Sequence, residues 1–289
     1  MQRHEYAGPL PLRAMQSLAV RAFPATGYRH IGDLAWNRCL ALGRADRCPT
    51  AVWTEAGRTL AWGWLELPDG LLLQVDPERP ESADAVLDWA EAAAPGPLSV
   101  DVAETERDVI KALERRGYVR AADGPYLACL GRPLTGLPDL PRLPDGYVIR
   151  AQQGPADVAG RAAAHRAAFG SERVTAERHA RMRATWPYRP EFDLVVAAPG
   201  GDIVAYCQGW YDAANRTGEF EPVGTWPDHR RRGPARAVCT AVLHAFARAG
   251  GHRAVVYARG DAAHPAPKRL YESLGFAPYT RTHTYAGPR

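Results

Sequence analysis

The chain has 289 residues, more than one average domain needs and enough for two that each bury a core. Its formal net charge of +4 is too small for a dedicated nucleic-acid binder, and no stretch is long and apolar enough to span a bilayer. The five cysteines, Cys39, Cys48, Cys129, Cys207 and Cys239, are scattered, odd in number and without metal-ligand spacing. That pattern predicts free thiols in a reducing compartment and no metal site. No apolar segment follows Met1-Gln2-Arg3-His4-Glu5-Tyr6, so a cytoplasmic protein is expected.

The first half predicts a strand over 71–75, a helix over 82–93, a strand over 98–102 and a helix over 107–116, closed by Gly117-Tyr118. Trp53, Trp62, Trp64 and Trp89 read mostly as core. With the segment Arg29-His30-Ile31-Gly32-Asp33-Leu34-Ala35-Trp36, some of them are candidates for the aromatic wall of a cleft, where rings attract amines. Pro133, Pro138, Pro141 and Pro144 then crowd the stretch from Gly131 to Gly146. Prolines lack an N–H and restrict their neighbours, which predicts a semi-rigid linker. The expected division is a first domain over 1–132, a linker over 133–146 and a second domain over 147–289.

The second half starts afresh, with a strand over 147–150, a helix over 155–169, paired strands over 193–198 and 203–211, and a strand over 217–225. Next comes Thr225-Trp226-Pro227-Asp228-His229-Arg230-Arg231-Arg232-Gly233-Pro234-Ala235, running into a helix. The first N–H groups of a helix have no partner within it, and the helix dipole adds positive potential there. Gly233 admits close approach of a ligand to the backbone, and arginines supply charge-assisted hydrogen bonds. This order of residues suits a diphosphate. Val238, Ala241, Val242, Ala245, Phe246 and Ala249 keep helical spacing until Gly250-Gly251. A buried strand over 254–258 follows, then a helix from 266 to Gly275, with Phe276 folding back as in a Schellman cap.

The two halves repeat one order of elements. Where the second has Arg230 to Gly233, the first has Pro80-Glu81-Ser82-Ala83, followed by Asp84. Carboxylates there would repel a diphosphate. Leu113 stands where the second half has Tyr271.

At these residues the second half resembles the GNAT superfamily of acyl-CoA-dependent N-acyltransferases. Arg230-Arg231-Arg232-Gly233-Pro234-Ala235 matches the family's phosphate signature, and Leu270-Tyr271-Glu272-Ser273-Leu274-Gly275-Phe276 matches its closing helix. The resemblance covers roughly 147–285, with a weaker echo over about 10–130. It implies an α/β (α+β) protein of two tandem GNAT-like domains, each a mixed, splayed sheet flanked by helices, in a layout similar to that of mycothiol synthase, with a degenerate first domain. Two positions depart from the pattern. Pro234 removes one N–H while remaining favourable in a first helical turn, and His264 stands where many relatives carry asparagine.

The resemblance implies acetyl-CoA as donor, held by Arg230, Arg231, Arg232, Gly233, Pro234, Ala235 and His264, with backbone groups of Val223 and Thr225 pairing with the pantetheine arm. N-acylation needs a neutral amine, so a base is required. Glu219 and Glu221 lie two apart on one strand and so share a face. Either can be the base, with Glu219 preferred because tandem relatives carry an acid at the comparable place. Pro222 between that pair and Val223 predicts a break in the ladder. Tyr271 is the expected acid beside the thioester sulfur. Cys207 and Cys239 lack a His–Asp context and read as core. The expected protein is thus a small-molecule amine acetyltransferase, monomeric or homodimeric, that binds neither nucleic acid nor membrane. The alternative is a non-catalytic acyl-CoA-binding module.

Overall fold

Apolar residues recur at a period of two in the strands and of 3.6 in the helices of both halves, and each pattern finds a partner to bury it. The computed structural model describes residues 1–6, 12–41, 43 and 47–288; residues 10 and 11, where the weaker echo begins, lie outside them. The first half runs β1 (Gln2–Tyr6), α1 (Leu12–Thr26), α2 (Ile31–Ala41), β2 (Thr50–Glu55), β3 (Arg58–Glu66) and β4 (Gly70–Val75). It continues with α3 (Ser82–Ala93), β5 (Ser99–Ala103), α4 (Arg107–Arg115), β6 (Val119–Arg120) and β7 (Leu127–Pro133). The second half has β8 (Val148–Ala151), α5 (Gly154–Phe169), α6 (Ala176–Arg183), β9 (Asp193–Ala197), β10 (Ile203–Asp212) and β11 (Thr217–Thr225). It ends with α7 (Pro234–Arg248), β12 (Arg253–Arg259), α8 (Pro265–Ser273) and β13 (Ala277–Ala286). Every element expected from the sequence is present, within two residues at each end.

The strands join into one mixed sheet in the order β1-β2-β3-β4-β5-β13-β7-β12-β11-β10-β9-β8. No element was expected after Phe276, yet β13 bridges the halves. Its residues 277–281 pair with β7, and its residues 282–286 pair with β5. β7, which precedes the Pro-rich stretch, pairs along its length with β12. Hydrogen bonding therefore crosses the 133–146 segment in both directions. The fourteen residues between β7 and β8 contain no helix or strand, in keeping with their prolines.

Helices cover both faces of each half. In the second half α7 and α8 lie on one face, over a core of Val238, Val242, Phe246, Phe220, Tyr271 and Phe276. The opposite face is covered by α5 and, from the first half, by α2, which packs on β10, β11 and α6. Being covered on both faces, β10 is buried at every position. Trp53, Trp62, Trp64 and Trp89 are buried in the two clusters of the first half, which assigns these four to the core. All five cysteines are buried and free.

The internal repeat extends to the cap of the last helix in each half. In the second, Gly275 N–H donates to Glu272 O and Phe276 N–H to Tyr271 O, with Gly275 at φ 83°. In the first, Gly117 N–H donates to Glu114 O and Tyr118 N–H to Leu113 O, with Gly117 at φ 80°. Both are Schellman motifs, and they place Tyr271 and Leu113 at the same position of corresponding helices.

Phe246 is fully buried and meets the rings of Phe192, Tyr211 and Phe220. Phe246→Ala should therefore lower stability by about 3–5 kcal/mol, measured by urea denaturation; a loss under 1 kcal/mol would contradict this packing.

Candidate active site

The centre of the second half is a gap in its own sheet. β11 and β12 are parallel neighbours only at Thr217↔Arg253, Gly218↔Ala254 and Glu219↔Val255; beyond Glu219 they separate. On its other side β11 keeps pairing with β10, through a bulge that sets Glu221 and Pro222 opposite Gln208 alone. Trp226 N–H donates to Val204 O at 2.8 Å. Antiparallel alternation then turns the backbone groups of Thr225, opposite Ala205, and Val223, opposite Cys207, away from β10. They face the gap.

At the mouth of the gap a short turn, Pro227–His229, leads to Arg231 at φ 62° and Gly233 at φ 86°. No atom lies within 4 Å of the place a Cβ on Gly233 would occupy, so a ligand can touch this backbone. The N–H groups of Arg231, Arg232, Gly233, Ala235 and Arg236 make no hydrogen bond among the described residues. Pro234 is the first helical residue of α7, where its missing N–H costs the helix nothing. Arg230 anchors the turn, donating to Ala168 O at 2.9 Å and to Thr225 O at 3.4 Å. The Arg231 and Arg232 side chains are exposed and without an ion-pair partner among the described residues. This is a concave set of free donors on a positive helix end, the arrangement an anionic diphosphate requires.

Tyr271 is on α8. It is buried and packs on Phe220 and Phe276. Burial, then the neighbouring Cys239, Cys207, Glu221 and Tyr206, push its hydroxyl well above the usual range. It keeps its proton at neutral pH, as an acid must. His264 is exposed and paired with Asp261 at 3.1 Å, at the start of α8.

Glu219 and Glu221 project on the opposite face, toward α2 and α5, while Phe220 between them joins the α7 core. Glu219 is 1% exposed. Its Oε2 meets His30 Nδ1 at 3.0 Å, and its Oε1 is buried without a partner. Burial, followed by the Glu219 and Asp33 carboxylates, drives Glu221 well above the usual carboxylate range, against Arg161. Asp33, in the first turn of α2 and bonded to Asn37 at 2.9 Å, completes the group. Burial and repulsion from Glu219 push Asp33 up to about 7, although Arg29, His30 and Asn37 favour its charge. The buried Tyr257 hydroxyl of β12 also lacks a partner and lies within the field of Glu219 and Asp33. Three carboxyl groups from the two halves thus lie within one another's field beside the gap. The sequence offered the segment from Arg29 to Trp36 only as a possible wall; nothing local says that it folds onto the other half.

The corresponding gap of the first half is shut. β4 and β5 pair only at Gly70↔Ser99 and Leu71↔Val100, so this pair splays as well. Across the splay lies the buried Arg29 guanidinium, donating to Leu73 O at 3.0 Å and to Asp101 O at 3.2 Å. The turn before α3 is equally occupied: Ser82 N–H donates to Arg79 O and Ala83 N–H to Pro80 O. Arg79 is bound by Glu55 and Glu81, and Arg58 by Asp76 and Glu78.

Residues 162–276 match the acetyltransferase (GNAT) family. Mycothiol acetyltransferase of Tsukamurella paurometabola is 31% identical over 173 residues, which are 54% of this chain and 57% of that protein. The chain thus matches little more than half the length of this curated relative. The structure of a tandem GNAT protein from the clavulanic acid biosynthesis pathway covers the whole of both chains at a TM-score of 0.67 and 17% identity. A GCN5-related N-acetyltransferase from Sphaerobacter thermophilus covers 99% of this chain and 96% of that one, at a TM-score of 0.61 and 21% identity. Over residues 162–276 the chain resembles the GNAT acetyltransferase family, and as a whole it has the fold of tandem GNAT proteins.

The raised Asp33 gives a testable pH dependence. Folded Asp33 holds its proton to about pH 7, the unfolded residue only to about its ordinary 3.8. Between these values the folded state binds more protons, so this residue's contribution to stability falls as pH rises. Asp33→Asn should be the more stable protein at pH 8, by on the order of a few kcal/mol, with the gap closing below pH 4. Urea denaturation across this range checks it; a gap independent of pH would contradict the assignment.

Proposed function

We propose that the protein is an acetyl-CoA-dependent N-acetyltransferase for a primary amine on a small molecule, and that only its second half binds the donor. One observation carries this reading. The chain contains two splayed sheets, and the one between β11 and β12 is open and lined with free backbone donors, whereas the one between β4 and β5 is bridged by Arg29. The matching GNAT family model and the name of the Tsukamurella relative, a mycothiol acetyltransferase, support acetyl transfer to a small acceptor. A cytoplasmic location fits the five buried, unpaired cysteines.

Acetyl-CoA, when bound, supplies an electrophilic thioester carbonyl and a thiolate leaving group. The amides of Arg231, Arg232, Gly233, Ala235 and Arg236, with the adjoining guanidiniums, would hold its diphosphate. The Val223 and Thr225 backbone would pair with its pantetheine arm, and exposed His264 stands at the rim. On the other face, the carboxyls of Asp33, Glu219 and Glu221 would receive the amine, beside the Trp210 ring that packs with Glu219 Oε2 against Gly32. Glu219 accepts one amine proton at its unpaired Oε1, leaving a lone pair free to form the C–N bond as the C–S bond breaks. Tyr271 gives its proton to the departing sulfur and regains one from the second amine proton through solvent. Base and acid thus work from opposite faces of the gap.

Calorimetry with acetyl-CoA should give one site per chain; two sites would contradict the assignment of the donor to the second half alone. Tyr271→Phe should lower kcat by about 10²-fold or more while the Kd for acetyl-CoA holds within about twofold. Unchanged turnover would remove Tyr271 from the chemistry. Binding of the donor without thiol release across a broad amine panel would instead identify a non-catalytic acyl-CoA-binding module.

A further inference from the structure

Arg29 and His30 are adjacent, yet they face different halves. Arg29 closes the first gap, while His30, 1% exposed, leaves its own half and enters the second. Its Nε2 lies 3.2 Å from the Thr217 carbonyl and its Nδ1 3.0 Å from Glu219 Oε2. Thr217 and Glu219 are the two ends of the short segment where β11 still pairs with β12. His30 therefore clasps β11 at the last rungs before the gap opens.

The two acceptors determine the protons. A carbonyl oxygen can only accept, so Nε2 carries a hydrogen. The Gly32 N–H also points at Nδ1, at 3.1 Å; Nδ1 cannot accept from it and donate to Glu219 at once, and the charge-assisted bond to the carboxylate is the stronger of the two. With Glu219 ionised, an unprotonated Nδ1 would turn a lone pair toward a carboxylate in a dry site. The pair therefore shares one proton between Nδ1 and Oε2, and as an imidazolium–carboxylate pair it satisfies both nitrogens. That leaves the orphan Oε1 as the only free oxygen of Glu219.

Resting on the acetyltransferase reading above, we infer that His30 is the positioning residue of the second half's active site: it holds Glu219 as a fixed carboxylate with Oε1 presented to the amine. Without His30, Glu219 would face the Asp33 carboxyl on α2 and the Glu221 carboxyl on β11 with no hydrogen-bond donor to fix its orientation. The other groups facing the pair are Arg29 beside it, Asp212 on β10, Tyr257 on β12 and Tyr279 on β13. Burial opposes charge on His30, but Glu219, Asp212 and the Thr217 carbonyl together hold its imidazole above the usual range. One short segment of the degenerate half thus blocks its own gap and completes the working one.

Imidazole nitrogen NMR of the free, full-length protein tests this without any acceptor. At pH 7 His30 should show both nitrogens protonated, and in Glu219→Gln it should become neutral with hydrogen on Nε2 only. A neutral His30 in the wild type at pH 6.5, or an imidazolium that persists in Glu219→Gln, would overturn the inference. In turnover, His30→Gln should lower kcat about 10²-fold, leave the Kd for acetyl-CoA unchanged, and move the acidic limb of the kcat profile to higher pH. A loss of activity with the limb in place would mean a merely structural histidine. If the imidazole behaves as stated but the wild type acetylates no amine, the functional reading fails and the His30–Glu219 pair stands.

Discussion

Everything distinctive about this molecule follows from two parallel strands that stop pairing. β11 and β12 share three register positions and then part, leaving a row of backbone N–H and C=O groups inside a protein, where such groups need partners. A sheet tolerates that only if something else fills the gap. Water or a peptide-like ligand arm can do so, and so can a side chain with several donors. The two halves of this chain differ here: a side chain fills the first gap, and the second keeps its backbone groups free.

In the first half the filler is Arg29. Its planar fork reaches a carbonyl on each side of the splay, with the guanidinium over the rings of Tyr28 and Trp62. The donors around it are also satisfied within the chain: amides before α3 are used internally and the neighbouring arginines are neutralised by Glu55, Glu81, Asp76 and Glu78. In the second half the same places remain unpaired. Such a contrast within one chain is more informative than either half alone, because fold, solvent and history are shared. The bridging strand β13 and the helix α2, laid across β10 and β11, make the supporting half part of the site's walls.

Much of this was legible in the residues. The arginine turn, the Gly275-Phe276 cap and the common face of Glu219 and Glu221 are local patterns, each set by dihedral limits or strand alternation within a few positions; Pro222 marked an irregularity, which is a bulge rather than the expected end of the ladder. The substitution of Leu113 for Tyr271 was equally plain. What the residues did not disclose was long-range. β13 is mostly polar and alternates weakly, so it reads as a tail until its two neighbours are known. His30 and Asp33 sit in a segment whose spacing suits an ordinary helix start, and only the fold brings His30, 189 positions away in the chain, and Asp33 with it, to Glu219. The role of Arg29 was not legible either, because burial of a guanidinium between carbonyls leaves no signature in sequence.

The most direct test is a crystal structure of the full chain with acetyl-CoA. The account predicts the pantetheine arm between β11 and β12, hydrogen-bonded to Val223 and Thr225, with the diphosphate on the amides around Gly233 and Arg29 still bridging β4 and β5. A donor lodged between β4 and β5, with Arg29 swung aside, would contradict it.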